Sequence, residues 1–426
     1  MKNIPLLLNH TSELFSLWYN KELIERAADR IKRQYFAERK YLGSKDRRFI
    51  EELFFNMIKN LRLYTWQISG KDNPQGLDLS PELLTVHAFK RSFPELCKDV
   101  SFKIEDTISK YFAEHEYKNI YPEELNIKYS IPDVLWDHIK DNHDQEELEL
   151  LLQALLRSPG VHLRTNTFKV TTPKLMEKLE NVPYYLGNLS PEALRLQKYR
   201  NLSQDISYKK GWFDVQDESS QLVGLICNPQ EEDLVMDICA GAGGKTMHIA
   251  ALQKDSGNLI ATDKYPDRLK ELIIRAKRLG FRKIKLIPLE KIRKIYKEKA
   301  DILLIDAPCS GTGVYGRHPD RKWELTENRL KAYIQEQAKI LKDNAHLVRK
   351  GGYLVYATCS IIPQENNIQI QNFLKNHPEF EMVSIYKDLD DHGVRIKDHK
   401  DELDLQLLPH EYQSDGFYIA KLQRKN

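Results

Sequence analysis

Two cysteines stand in matching surroundings. Cys309 lies in "DAPCSGTG" (306–313) and Cys359 in "LVYATCSIIPQEN" (354–366). Each follows an apolar run that reads as a strand, and each precedes a serine. A single such thiol reads as a small buried hydrophobe, a common fate of free cysteine. Two of them at strand ends point to a shared site. Upstream, "MDICAGAGGKT" (236–246) follows another strand and opens a helix. Gly241, Gly243 and Gly244 let the backbone come close to a ligand and take dihedrals closed to other residues. Asp263 ends the next strand, 26 residues after Asp237, where a carboxylate suits the two hydroxyls of an adenosine ribose. A glycine loop with a distal acid is the layout of a dinucleotide or S-adenosylmethionine site. It is not a Walker loop, because Cys239 stands where GxxxxGK[ST] requires its first glycine.

A thiol beside a methyl donor meets a specific chemical need. Carbon-5 of cytosine or uracil is a weak nucleophile. A thiolate that adds to carbon-6 shifts electron density to carbon-5, which then attacks a sulfonium methyl. Loss of the carbon-5 proton and expulsion of the thiolate restore the ring, so one hard step becomes several easier ones. Asp306, three residues before Cys309, is a candidate to hydrogen-bond ring nitrogen-3 and assist addition. Cys97 and Cys227 read as packing residues, and Cys239 as packing or lining the cofactor. These residues alone leave open which of Cys309 and Cys359 attacks. A stacked base hides its carbon-6, so the target must be flipped out or unpaired, and RNA loops supply such bases.

The elements that position these residues follow from texture. From Asp233 the pattern alternates strand and helix: "LVMDI", "GGKTMHIAALQ", "NLIATD", "YPDRLKELIIRAKRLG", "ADILLID", a long helix, "GGYLVYAT", and a last strand in "DGFYIAKLQ". That alternation predicts a doubly wound, Rossmann-like α/β domain over 231–426. Ligands bind such a sheet beyond the carboxyl ends of its strands, where both cysteines, the glycine loop and Asp263 should converge. Residues from about 13 to 142 show helical spacing of apolar residues, broken at Gly43, with Ser44 expected to cap the next helix. A helical domain over 1–145 and a small mixed α+β linking domain over 146–230 complete the expected organisation.

Composition narrows the class. A chain of 426 residues is long enough for two or three domains. No apolar run approaches the roughly 20 residues that cross a bilayer, and the N-terminus makes a poor signal peptide. Five cysteines with no CxxC spacing argue against a disulfide framework or a metal site and fit a reducing cytoplasm. The net charge is only +3, yet residues 21–62 carry 12 Lys/Arg against 7 Asp/Glu, and residues 268–299 carry 13 against 3. Patches of this kind contact phosphates or form solvated helix faces.

These stretches resemble the Sun/RsmB-type family of S-adenosylmethionine-dependent RNA cytosine-5 methyltransferases. The likeness is carried by "DICAGAGGKT", "ATDKYPDRL", "IDAPCSGTGVYGRHPDRKW", "LVYATCSIIPQEN" and "LLPHEYQSDGFYIAKL", with "LRTNTFK" and "GWFDVQDESSQLV" ahead of them. "LGSKDRRFIEELFFNMI" is similar to the NusB-like domain of the bacterial branch. The resemblance implies that Cys359 is the nucleophile and that Cys309 assists product release. It implies that Cys239, Ala240, Gly241, Ala242, Gly243, Gly244, Lys245, Asp263 and Asp306 bind the cofactor, with Asp306 near the target base and Glu290 the candidate for an adenine contact. Many relatives read CAAPGGKT, where this chain has Gly241-Ala242 in place of Ala-Pro. The expected substrate is RNA, 16S rRNA ahead of tRNA, held by the helical domain and the "LRTN" segment. Arg317, His318, Arg321 and Lys322 are expected to meet flanking phosphates. A monomer without metal or membrane is expected. The rivals are a tRNA or DNA methyltransferase and a non-catalytic ribosome assembly factor; a nicotinamide oxidoreductase would explain neither cysteine.

Overall fold

The computed structural model describes residues 3–19, 27–72, 79–97, 120–179, 182–198, 201–394, 396 and 403–426. The chain forms two compact units, one of residues 1–156 with 317–326, the other of 157–316 with 327–426.

The first unit is helical: α1 (Ile4–Tyr19), α2 (Ala28–Glu38), α3 (Ser44–Lys59), α4 (Leu61–Ser69) and α5 (Pro81–Ser92) bury one apolar cluster that includes Phe15, Phe54, Met57 and Phe89. Helical spacing aligned these side chains on one face, and their burial holds the helices together. Ser44 is not the cap of α3 but its first residue; Gly43 precedes it, and the Asp46 carboxylate accepts the Gly43 N–H. Helix Gln145–Leu155, which buries Leu148, Leu151, Leu152 and Leu155, also belongs to this unit. Residues 98–119 of the expected helical region, and the side chain of Cys97, lie outside what is described.

An unexpected piece completes this unit. Residues 317–326 pack into it, with Trp323 against the helical core and its indole N–H donating to Ile58 O at 2.8 Å. Asp320 accepts the Ala28 N–H at 2.8 Å. Lys322 is 1% exposed, and its Nζ donates to Lys59 O at 2.6 Å and Ser130 O at 2.7 Å. Burial and the nearby Lys59 push its ammonium well below the usual lysine range. Lys322 therefore does not meet RNA phosphates as expected. Arg62, in the first basic patch, is likewise spent internally, on Asp72, Asp133 and Ile131 O.

The second unit holds two sheets. A four-stranded antiparallel sheet, ordered β2-β3-β1-β4, comprises β1 (His162–Thr165), β2 (Tyr184–Leu186), β3 (Ala193–Leu196) and β4 (Phe213–Val215). It shares its unit with the large sheet instead of forming the separate 146–230 domain expected. Helix Glu218–Cys227, which that domain would have ended with, buries Leu222, Val223 and Ile226 in the large-sheet core. The "LRTN" segment does not present itself to RNA. Arg164, Thr165 and Asn166 are all buried, and Asn166 Nδ2 donates to Gly211 O and Leu279 O at 2.8 and 2.9 Å.

The large sheet has eight strands, in the order β10-β12-β9-β8-β5-β6-β7 with β11 paired to β12. β5 (Val235–Asp237), β6 (Leu259–Ala261), β7 (Lys285–Leu286), β8 (Ala300–Asp306) and β9 (Val348–Thr358) run parallel. β10 (Phe380–Met382), β11 (Asp404–Leu407) and β12 (Phe417–Arg424) add antiparallel pairings. This is the expected Rossmann-like α/β fold. Its central strands read as unbroken apolar runs because both faces are covered.

Candidate active site

Parallel pairing brings the carboxyl ends of β5, β6, β8 and β9 to one edge. Asp237 registers with Ala261 and Leu304, and Asp306 with Ala357. The expected residues therefore gather in the loops just beyond these strands.

The glycine loop runs from β5 into helix Gly244–Leu252. Gly241 and Gly243 have φ of 53° and 84°, in the left-handed region that favours glycine. At Gly243 an added Cβ would lie 2.7 Å from Leu272 Cγ, while the space beside Gly241 is open. Asp263 Oδ2 accepts the Gly241 N–H and Oδ1 the Tyr265 N–H, each at 2.8 Å. An ionised carboxylate has about four acceptor positions, so each oxygen keeps one for a ribose hydroxyl. Open loop and half-used carboxylate fit an adenosine-bearing cofactor. Glu290 is exposed in the first turn of helix Leu289–Ile295, after β7, and no described hydrogen bond ties it to the loop.

Beneath the loop, Asp237 is 1% exposed and accepts Thr246 Oγ1 at 2.6 Å. Burial pushes its carboxyl up to about 7, and the Asp306 charge adds to this. Lys245 reaches across to Asp306, Nζ to Oδ2 at 2.6 Å, and its ammonium lies 4.8 Å from the Phe417 ring centre. The two sequence motifs are thus joined by one ion pair, which holds the Asp306 carboxylate at the end of β8.

Cys309 and Cys359 come together as expected, Sγ to Sγ at 3.4 Å. Backbone bonds fix the approach: Ala307 N–H donates to Ala357 O at 2.8 Å, and Gly313 N–H to Cys359 O at 3.0 Å. The hydrogen bond with Cys359, followed by burial, pushes the Cys309 thiol well above the usual range. Cys239 is also pushed well up, by burial and then by the Asp237, Asp306 and Asp263 carboxylates, and Cys227, buried, up to about 12. Neither is placed to act as a thiolate.

One member of this neighbourhood was not foreseen. Glu365, fully buried in the turn after β9, accepts hydrogen bonds from Ser310 and Ser360, the residues that follow the two cysteines. A lone acid in a loop has no periodic signal, and its partners lie up to 55 residues away. Its place in "CSIIPQEN" was the one clue.

Residues 224–423 match the family model described as 16S rRNA methyltransferase RsmB/F. A probable ribosomal RNA small subunit methyltransferase B of Synechocystis is 34% identical over 326 residues, covering 73% of this chain and 71% of that protein. Its Bacillus subtilis counterpart is 33% identical, covering 71% and 68%. The crystal structure of PH0851 matches with a TM-score of 0.76 at 26% identity over 99% of both chains. Two paired cysteines, a glycine loop and the strands that align them all fall within the matched region, and the chain belongs to the RsmB/F family of 16S rRNA methyltransferases.

Proposed function

We propose that this chain methylates carbon-5 of a cytosine in small-subunit rRNA, with Cys359 as nucleophile. Family membership makes it a methyltransferase and S-adenosylmethionine its methyl donor. The names of its relatives support rRNA as the substrate. The choice of Cys359 follows the resemblance of its motif to the family, and the 3.4 Å sulfur pair at the ends of β8 and β9, beside the Lys245–Asp306 ion pair, supports one shared site for the two thiols.

S-adenosylmethionine, when bound, supplies a methyl on a positively charged sulfur. The glycine loop and Asp263 would hold its adenosine part. Asp306, positioned by Lys245, faces the target base and steadies its nitrogen-3 edge. The Cys359 thiolate forms a bond to carbon-6 as the carbon-5–carbon-6 double bond opens, and carbon-5 would take the methyl as its bond to the donor sulfur breaks. The carbon-5 proton then leaves, the sulfur–carbon-6 bond breaks, and the double bond returns. Cys309, 3.4 Å from the nucleophile, assists that release. The NusB-like helical unit and the basic stretch 268–299, where Lys277, Arg282, Lys283 and Lys285 are exposed, hold the surrounding RNA. Among the described residues no helix is long and apolar enough to cross a membrane.

Methyl transfer from labelled cofactor into 16S rRNA tests the assignment. Cys359→Ser is expected to abolish it, because a hydroxyl at neutral pH lacks thiolate nucleophilicity. Cys309→Ala is expected to accumulate a protein–RNA adduct that survives denaturing gels. Exchanged phenotypes would reverse the roles. Bisulfite sequencing of rRNA and tRNA from a deletion strain identifies the substrate, and a lost tRNA signal would favour the tRNA reading.

A further inference from the structure

Glu365 lies between the two cysteine loops and is bonded to both. It is 0% exposed. Its Oε1 accepts the Ser310 N–H at 2.8 Å and Gln337 Nε2 at 2.9 Å. Its Oε2 accepts Ser310 Oγ and Ser360 Oγ, both at 2.5 Å. Four donors thus occupy the four acceptor positions that an ionised carboxylate offers. Ser310 follows Cys309 and Ser360 follows Cys359, so one side chain fixes the backbone next to each sulfur. Thr312 extends the network, its Oγ1 3.0 Å from Ser360 Oγ and accepting the Ile361 N–H at 3.0 Å. Glu365 itself is fixed by Tyr356, whose hydroxyl donates to Glu365 O at 2.8 Å.

We propose that Glu365 is a positioning residue for the methyl transfer: its buried carboxylate sets the spacing of the Cys309 and Cys359 loops by bonding Ser310 and Ser360 at once. This rests on the reading of the two cysteines as the reacting pair. An amide at position 365 cannot do the same. Its nitrogen accepts nothing, so the Ser310 and Ser360 hydroxyls must reverse and accept from it, which replaces two charge-assisted bonds with weaker neutral ones and disturbs the bonds these hydroxyls make to Thr312 and Ile362. The loops then separate or rotate, and a misplacement of about 1 Å at a reacting atom costs on the order of 10²-fold in rate. A buried negative charge beside the pair also helps keep Cys309 protonated.

The test compares Glu365→Gln, Ser310→Ala and Cys359→Ser in the full chain. Glu365→Gln is expected to lower kcat on the order of 10²-fold while KM for the cofactor changes less than about twofold, since the glycine loop is untouched. Ser310→Ala is expected to lower kcat less, and the two changes together are expected to cost little more than Glu365→Gln alone, as for residues of one network. An independent readout is thiol cross-linking by diamide, which takes two electrons and two protons from Cys309 and Cys359 to leave a disulfide and a hydrazine. It should be fast in the parent and slower in Glu365→Gln at a temperature where both are folded. Full activity and unchanged cross-linking in Glu365→Gln, with Cys359→Ser inactive, would overturn the proposal and leave the nucleophile intact. An active Cys359→Ser would instead overturn the reading on which it rests. If Glu365→Gln does not fold, Ser310→Ala decides: unchanged kcat and cross-linking would overturn the proposal.

Discussion

At the scale of single residues, the site is governed by where charge is allowed. Asp237 has no exposed surface to spare and one strong donor, Thr246. Its carboxyl is raised from 3.8 to about 7 in the fold. A raised acid favours the folded state below the unfolded pKa and loses that contribution as pH rises through the folded one. Stability of the cofactor-free protein is therefore expected to fall between about pH 4 and pH 7 by up to a few kcal/mol from this residue. Asp237→Asn, which has no proton to lose, should flatten that part of the curve. Thermal midpoints measured across this range check it, and parallel curves for parent and variant would refute it. Residue types at this scale were mostly legible in the sequence. Gly241 and Gly243 are demanded by their left-handed backbone, and Asp263, Cys309 and Cys359 by the cofactor and thiol roles proposed for them, and such demands leave a mark in the chain itself. Glu365 was not legible, because its value comes from two serines brought to it by the pairing of β8 with β9.

At the scale of elements, burial decided several questions that charge and alternation had left open. The strand His162–Thr165 carries most of the "LRTN" segment that was expected to hold RNA. It is instead interior to its sheet, between β3 and β4, and all four residues are buried. The Asp214 carboxylate, 3.9 Å away, offsets the guanidinium of Arg164 and also binds Arg275 and Arg278 at 2.7 and 2.5 Å. Basic residues counted as a phosphate patch are thus partly an internal ion network. The same holds for Lys322, whose two backbone acceptors make it a brace for the helical unit. Lys322→Ala should destabilise that unit by about 1–3 kcal/mol, since two buried carbonyls lose their donor. The slope of RNA affinity against salt should stay unchanged, since no phosphate contact is lost. Denaturant unfolding together with binding at several salt concentrations separates these effects. A shallower slope with unaltered stability would return Lys322 to the RNA surface.

At the scale of the whole molecule, periodicity revealed the kinds of element and their order, and the Rossmann-like sheet followed from that order. Domain borders did not, because they depend on which core an apolar face joins. Helix Gln145–Leu155 and residues 317–326 join the helical unit, while the small sheet clusters with the large one. A fragment of residues 157–426 would carry Trp323 without Ile58, its hydrogen-bond acceptor, or the cluster it packs on. With Trp212 replaced in the fragment and Trp18, Trp66, Trp136 and Trp212 replaced in the parent, the fragment's emission should lie to the red of the parent's, and an unshifted spectrum would show that 317–326 needs no helical partner.

The return of the chain to the helical unit at 317–326 also imposes an order on biosynthesis. Residues 1–156 are synthesised before Trp323, which packs on their apolar cluster. By then β5 through β8 and Cys309 have been translated, while β9 and Cys359 have not. The segment that completes the helical unit is therefore synthesised before the second cysteine, and the nascent chain acquires its sulfur pair only after every residue of that unit has been made.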